Sequence, residues 1–256
     1  MIDVACQTYS LRTRPRGDML TSVRKAGFRS IELWVGHADY AAEPDSASDV
    51  RRAADEIGIR IRAYSVGGFV GASLATVEAR LTAAFAYAAA LGVDVITGVV
   101  DRRAVGIVDG LCRRTGIRFG IENHWYAEFA RAEDYVPVLE DGVSPLIGVT
   151  LDTGHLTAAS GDPVAACARF GERLFAVHLK DVRIPSRVRR LVWRRPRMEG
   201  CPLGTGEARV ADFLATLARA GWSGPLAIED ERPDVPLSEL HASLRACTRL
   251  LREAAA

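Results

Sequence analysis

The stretch from Gly148 to His178, GVTLDTGHLTAASGDPVAACARFGERLFAVH, carries one whole structural unit. Residues 148–152 and 174–178 are short apolar runs, continuous rather than alternating, as strands buried on both faces should be. Between them Asp162 and Pro163 supply a helix cap and a first-turn proline, and Gly171 closes that helix. Strand, helix and parallel strand follow in order. Outward from this unit the same alternation fills the chain. Further strands are expected at 3–8, 30–34, 60–64, 94–98, 118–122 and 226–229. Helices are expected at 18–26, 49–57, 74–91, 102–115, 210–220 and 237–253, most of them followed by a glycine in the C-cap role. Eight strand–helix units in 256 residues imply an α/β fold, a single (β/α)8 TIM barrel spanning 1–256 as one domain. The alternative is an open doubly wound sheet. Gln7-Thr8-Tyr9-Ser10 stands where that fold would place a glycine-rich phosphate loop after its first strand.

The chemistry collects on the second half of this scheme. Glu122, Asp152, His178 and Glu229 close the fifth to eighth strands, at the rim where barrels build active sites. A strand-end carboxylate can equally cap the helix that follows it, and Asp152 sits where it would do so. Three carboxylates and one imidazole converging at one mouth repel one another unless a cation lies between them. Their mixed oxygen and nitrogen donors suit one divalent ion, Mn²⁺ first, with Mg²⁺, Co²⁺ or Zn²⁺ as alternatives.

Composition narrows the function classes. The charged fraction is 25% and the net charge +1, which argues against a nucleic-acid-coating surface. Residues 81–100 are the most membrane-like stretch, but Gly92 and Asp94 interrupt it, so a buried helix running into a strand is expected and no membrane association. The N-terminus lacks a basic segment followed by an apolar one, so no signal peptide is expected. Five scattered cysteines fit a reduced, cytoplasmic setting. Only Lys25 and Lys180 are lysines among 33 basic residues, which singles out Lys180 beside the seventh-strand histidine.

Glu122-Asn123-His124, Leu151-Asp152-Thr153-Gly154-His155, Val177-His178-Leu179-Lys180-Asp181, Gly204-Thr205-Gly206-Glu207 and Ile228-Glu229-Asp230 together resemble the xylose isomerase-like, sugar phosphate isomerase/epimerase superfamily. The opening Gln7 to Arg12 and the segment Ala26 to Leu33 match it too, so the resemblance runs over essentially the whole chain. Its members include ketose 3-epimerases, hydroxypyruvate isomerases, inosose dehydratases, dehydroshikimate dehydratases and endonuclease IV. The resemblance makes Glu122, Asp152, His178 and Glu229 the metal ligands and His155 and Lys180 polar groups on the substrate side. It implies an isomerase or epimerase acting on a small polyhydroxylated keto compound through a metal-stabilised enediolate, with Glu122 and Glu229 exchanging the proton. A lyase is the alternative, with His124, His155 or Lys180 donating a proton to a leaving group. Endonuclease IV needs three zinc ions and further histidines, whereas this chain has five histidines in all and Leu179-Lys180-Asp181 after His178. A nucleic-acid partner is therefore not expected, nor is a non-catalytic barrel.

Glu32, Arg183, Trp34 and Trp125 are expected to contact substrate, with His37, Tyr126 and Trp193 as further candidates for the wall. Gly204-Thr205-Gly206 is expected to form a tight turn rather than a phosphate cradle. Residues 184–200, following strand seven, carry six arginines and one glutamate. That Arg-rich insert reads as a lid or contact surface for an anionic or aromatic-bearing substrate, or as a docking site for a partner subunit or second copy.

Overall fold

The computed structural model describes residues 2–140, 142–186 and 197–255. The middle of the Arg-rich insert, 187–196 with Trp193, lies outside the described residues. The strands in chain order are β1 (Val4–Gln7), β2 (Ser30–Trp34), β3 (Arg60–Gly68), β4 (Val95–Val99), β5 (Arg118–Glu122), β6 (Ile147–Asp152), β7 (Leu174–Leu179), β8 (Asp181–Arg183), β9 (Glu199–Cys201) and β10 (Leu226–Ile228). Eight of them pair in parallel and close into a barrel in the order β1-β10-β7-β6-β5-β4-β3-β2. β8 and β9 form a separate antiparallel ribbon that leaves the barrel just beyond β7. The expected eight strands are therefore the eight staves of a closed (β/α)8 barrel.

The staves are largely apolar, with β-branched residues in every one, and lie buried on both faces over most of their length, every residue of β4, β6 and β7 included. The helix Leu74–Leu91 shows how the outer layer attaches. Ser73 accepts a hydrogen bond from the Thr76 amide at 3.1 Å to open it, and Gly92 closes it at φ +70°. Val77, Leu81, Ala84, Phe85, Ala88 and Leu91 recur at helical spacing and face the barrel. With a mean hydropathy of 1.2 it is long and apolar enough to cross a bilayer by composition, but in this fold that apolar stripe packs on the barrel. One large core runs between the staves and the helices around the whole ring, with Ala63, Val95, Phe175 and Ala176 forming a small separate cluster.

The described residues depart from the expected elements at several points, among them a short helix Val136–Glu140 between β5 and β6. β3 runs on past Tyr64 to Gly68, with a register irregularity between Ser65 and Gly68 that lets two glycines stay in the sheet. A short helix, Thr153–Ala158, follows β6 directly, before the expected helix Pro163–Phe170. The β8–β9 ribbon also went unforeseen, because its strands are three residues each and their pairing is not local in sequence. All five cysteines are free and buried.

Candidate active site and metal centre

Strand register brings the four expected ligands together. His178 on β7 stands opposite Asp152 on β6, while Glu122 ends β5 beside Thr150 of β6. Glu229 follows β10 immediately, its amide donating to the Leu179 carbonyl at 3.1 Å. One ligand atom from each of Glu122, Asp152, His178 and Glu229 lies within 4.8 Å of the others, and all four residues are buried.

Polar staples hold the strand ends at that rim. Asn123 Nδ2 donates to the Asp152 carbonyl at 3.0 Å, and Asn123 Oδ1 accepts from the Asp152 amide at 2.8 Å. Thr153 Oγ1 accepts from the Lys180 amide at 2.9 Å and donates to the Lys180 carbonyl at 2.6 Å. Asp152 fills both roles open to it: Oδ1 caps the short helix through the His155 amide at 2.7 Å, leaving Oδ2 for the site.

The orientation of His178 fixes which nitrogen serves. Nε2 donates to Glu32 Oε1 at 2.8 Å, so Nδ1 is turned toward the acidic ligands, 2.9 Å from Glu122 Oε1 and 3.2 Å from Glu229 Oε2. Burial opposes charge on this imidazole, but Glu32, Glu122 and Glu229 outweigh it and hold its pKa well above the ordinary value. Glu122 is driven the other way: burial would raise its pKa, but His178 and His124 hold it well below the usual carboxylate range.

The donor set fits a divalent cation. Among the described residues, Asp152 Oδ2 and Glu229 Oε2 are buried side-chain oxygens with no aligned hydrogen-bond donor. Hard carboxylate oxygens with one imidazole nitrogen are the ligands that Mn²⁺, Mg²⁺ or Zn²⁺ accept.

Beside the acidic cluster, Lys180 Nζ lies 2.9 Å from Asp152 Oδ2, 3.4 Å from Glu229 Oε2 and 2.8 Å from Glu231 Oε1. Burial would strip its proton, but these three carboxylates prevail and keep it an ammonium. Its stem passes over Gly154, where an added Cβ would stand 2.9 Å from Lys180 Cδ and from Val182 Cγ1. That close approach explains the glycine between Thr153 and His155. His124 Nε2 reaches Glu122 Oε1 at 3.1 Å, and the His124 and His155 rings stack with centroids 3.8 Å apart. His155 Nε2 lies 3.6 Å from Glu231 Oε1.

A cavity of about 420 Å³ opens above these groups. Trp34, Trp125, Tyr126, His124, His155, Glu122, His178 and Glu229 line it, joined by Gln7, Tyr9, Glu231, Arg197 and Met198. Several expected contacts fall elsewhere. Glu32 is fully buried behind His178 and is not among the residues that line the cavity; it accepts from Thr97 Oγ1 and Gln7 Nε2 as well as His178, so it braces the His178 ring from below the cavity. Arg183 points out on β8, exposed and away from the cavity. His37 is a packed core residue, bonded to Thr8 Oγ1 and the Arg14 carbonyl at 3.1 Å each. Gly204 and Gly206 form a turn around Asp181, whose carboxylate accepts both of their amides at 2.8 Å.

Glu231 was missed as a site residue. The signal available for it was a third acidic residue two positions past the eighth-strand ligand. The pairing with Lys180 is between strands and invisible to spacing along one segment.

The family model described as xylose isomerase-like TIM barrel matches residues 20–253. A curated 3-dehydroshikimate dehydratase from Pseudomonas putida is 28% identical over 229 residues, covering 83% of this chain and 35% of the relative. The chain thus spans about a third of that relative's length. Among solved structures, the probable 3-DHS dehydratase AsbF of Bacillus anthracis superposes with a TM-score of 0.79 at 16% identity, covering 97% of this chain and 99% of the other. A xylose isomerase-like TIM barrel protein from Mycobacterium smegmatis in complex with magnesium gives a TM-score of 0.78 at 17% identity, covering 100% and 98%.

Proposed function

Because the chain belongs to the xylose isomerase-like TIM barrel family, we propose that it is a divalent-metal-dependent enzyme that removes a proton next to the carbonyl of a small polyhydroxylated keto compound. Glu122, Asp152, His178 and Glu229 would hold the ion. When bound there, a divalent cation polarises a carbonyl oxygen and offsets the negative charge that follows loss of the adjacent proton.

The geometry supports elimination of water best, and one observation carries that reading. Lys180 and His155, two proton donors, are gathered around Glu231 beside the ligand cluster, Lys180 directly against two of the ligands. A carboxylate at the cavity, Glu122 or Glu229, takes the proton from the carbon next to the carbonyl. The electron pair of that C–H bond becomes the new C=C bond, and the C–O bond on the next carbon breaks. His155 lines the cavity and Lys180 lies buried beside it against Glu231; one of the two gives the departing hydroxyl its proton, so water leaves. The P. putida relative is a dehydratase, which accords with this order of events.

Epimerisation or aldose–ketose isomerisation is the second reading. Glu122 and Glu229 both reach His178 Nδ1, within 2.9 and 3.2 Å, so two carboxylates flank one position and can take and return a proton. The two reactions separate in one experiment. Metal-loaded protein is incubated in D₂O with keto-cyclitols, keto sugars and keto acids. Elimination yields a conjugated product that absorbs in the ultraviolet; epimerisation or isomerisation places deuterium on carbon with no new absorbance. A panel in which neither signal appears for any compound sinks the enolising reading.

A further inference from the structure

We infer that Arg197 is a recognition residue for a carboxylate on the substrate, so that the compound turned over is a keto polyol or keto cyclitol bearing an acid group and not a neutral sugar. The inference rests on the enolising reading above and names the substrate class of the same cavity.

Arg197 lines the cavity together with Glu122, His178 and Glu229. Though exposed, it has two contacts that orient it. Its Nε donates to the Ala158 carbonyl at 2.8 Å, and its guanidinium lies 5.7 Å from the centre of the Trp125 ring. Those contacts occupy one edge and one face. The edge formed by the two terminal nitrogens has no carboxylate partner among the described residues, and that edge matches the two oxygens of a carboxylate.

Charge balance favours the same assignment. Lys180 is taken up by Asp152, Glu229 and Glu231, so it offers no free charge to an anion. Three ligand carboxylates leave the centre negative even with a divalent ion present. An anionic group must therefore settle away from the acidic cluster, and Arg197 is the one guanidinium or ammonium among the described residues that line the cavity. A neutral sugar could accept only ordinary hydrogen bonds from this edge, without the charge-assisted pair that a carboxylate forms.

The test uses two probes that present the same pair of adjacent oxygens in a plane, as an enediolate does, and differ by one carboxylate: catechol and 3,4-dihydroxybenzoate. Each is titrated calorimetrically, without air, into Mn²⁺-loaded wild type, Arg197→Met and Arg197→Lys. Wild type should bind 3,4-dihydroxybenzoate about 10- to 100-fold more tightly than catechol, the value of one charge-assisted pair. Arg197→Met should erase that preference while leaving catechol binding unchanged, and Arg197→Lys should restore part of it. A wild type without the preference, or an Arg197→Met protein that keeps it, overturns the inference. Stripping the ion separates the two claims. If both probes bind the metal-free protein as tightly as the loaded one, it is the enolising metal centre that fails.

Discussion

At the scale of single residues, the site depends on side chains that serve two neighbours at once. Asp152 caps a helix with one oxygen and faces Lys180 and His178 with the other. Asp152→Asn keeps an acceptor for the cap and removes the charge, so the barrel should stay folded. Divalent-ion affinity should fall by at least the roughly 10–100-fold seen when supporting groups around metal sites are lost. Titration calorimetry with Mn²⁺, with circular dichroism as the fold control, checks this; unchanged affinity removes Asp152 from the ligand set. Lys180 gives a different expectation. Its stem is packed against Gly154 and its ammonium against three carboxylates, so the bulkier arginine fits poorly and can hardly release a proton. Lys180→Arg should bind the ion normally and turn over roughly 10²–10⁴-fold more slowly. A nearly active Lys180→Arg protein would take Lys180 out of proton transfer.

At the scale of elements, the barrel was legible because each stave is a continuous apolar run closed by a capped helix, a signal that is local and repeated. The four candidate ligands were placed for the same reason: each stands at the C-terminal end of a stave, Glu122 and Asp152 as its last residue, His178 one before the last and Glu229 one after. What lay hidden depends on contacts between distant segments. The β8–β9 ribbon joins Asp181 to Cys201, and nothing within three residues of either predicts the pairing. Glu32 read as a substrate contact from its place on β2, yet strand position alone does not tell whether a side chain reaches the cavity or backs another residue. Asp181 illustrates the gain from seeing the fold: it looked like part of a motif and is the anchor of the ribbon and the following turn. Its carboxylate accepts from the amides of Gly204, Gly206 and Ala208. Asp181→Ala leaves those donors without their acceptor and should destabilise the protein by about 3 kcal/mol. Urea unfolding measures it, and Mn²⁺ affinity should hardly move, since no ligand touches this turn. A change below 0.5 kcal/mol, the ~0.5 range of an ordinary surface substitution, would show that the turn holds without it.

At the scale of the whole molecule, a cation held by the acidic cluster would tie the stability of the barrel to metal binding. Glu122, Asp152, His178 and Glu229 come from four consecutive staves around one side of the ring, so a cation among them links β5, β6, β7 and β10. The unfolded chain has no such site, and an ion that binds only the folded state stabilises it by mass action. At a free concentration 100 times the dissociation constant, that contribution is about 2.7 kcal/mol. For a chain of this size each kcal/mol moves the midpoint of thermal unfolding by roughly 2–4 °C. Removing the ion with EDTA should therefore lower Tm by roughly 5–10 °C and leave a folded protein. The metal-free barrel survives because its own cations stand in: His178, with its pKa raised by Glu32, Glu122 and Glu229 against the effect of burial, holds a second proton, and Lys180 sits against Asp152 and Glu229. The control is Glu122→Ala, which should unfold at the same temperature with and without EDTA because it no longer gathers the ion. Scanning calorimetry of both proteins decides the matter: equal EDTA shifts in wild type and variant would place the stabilising ion somewhere other than this cluster.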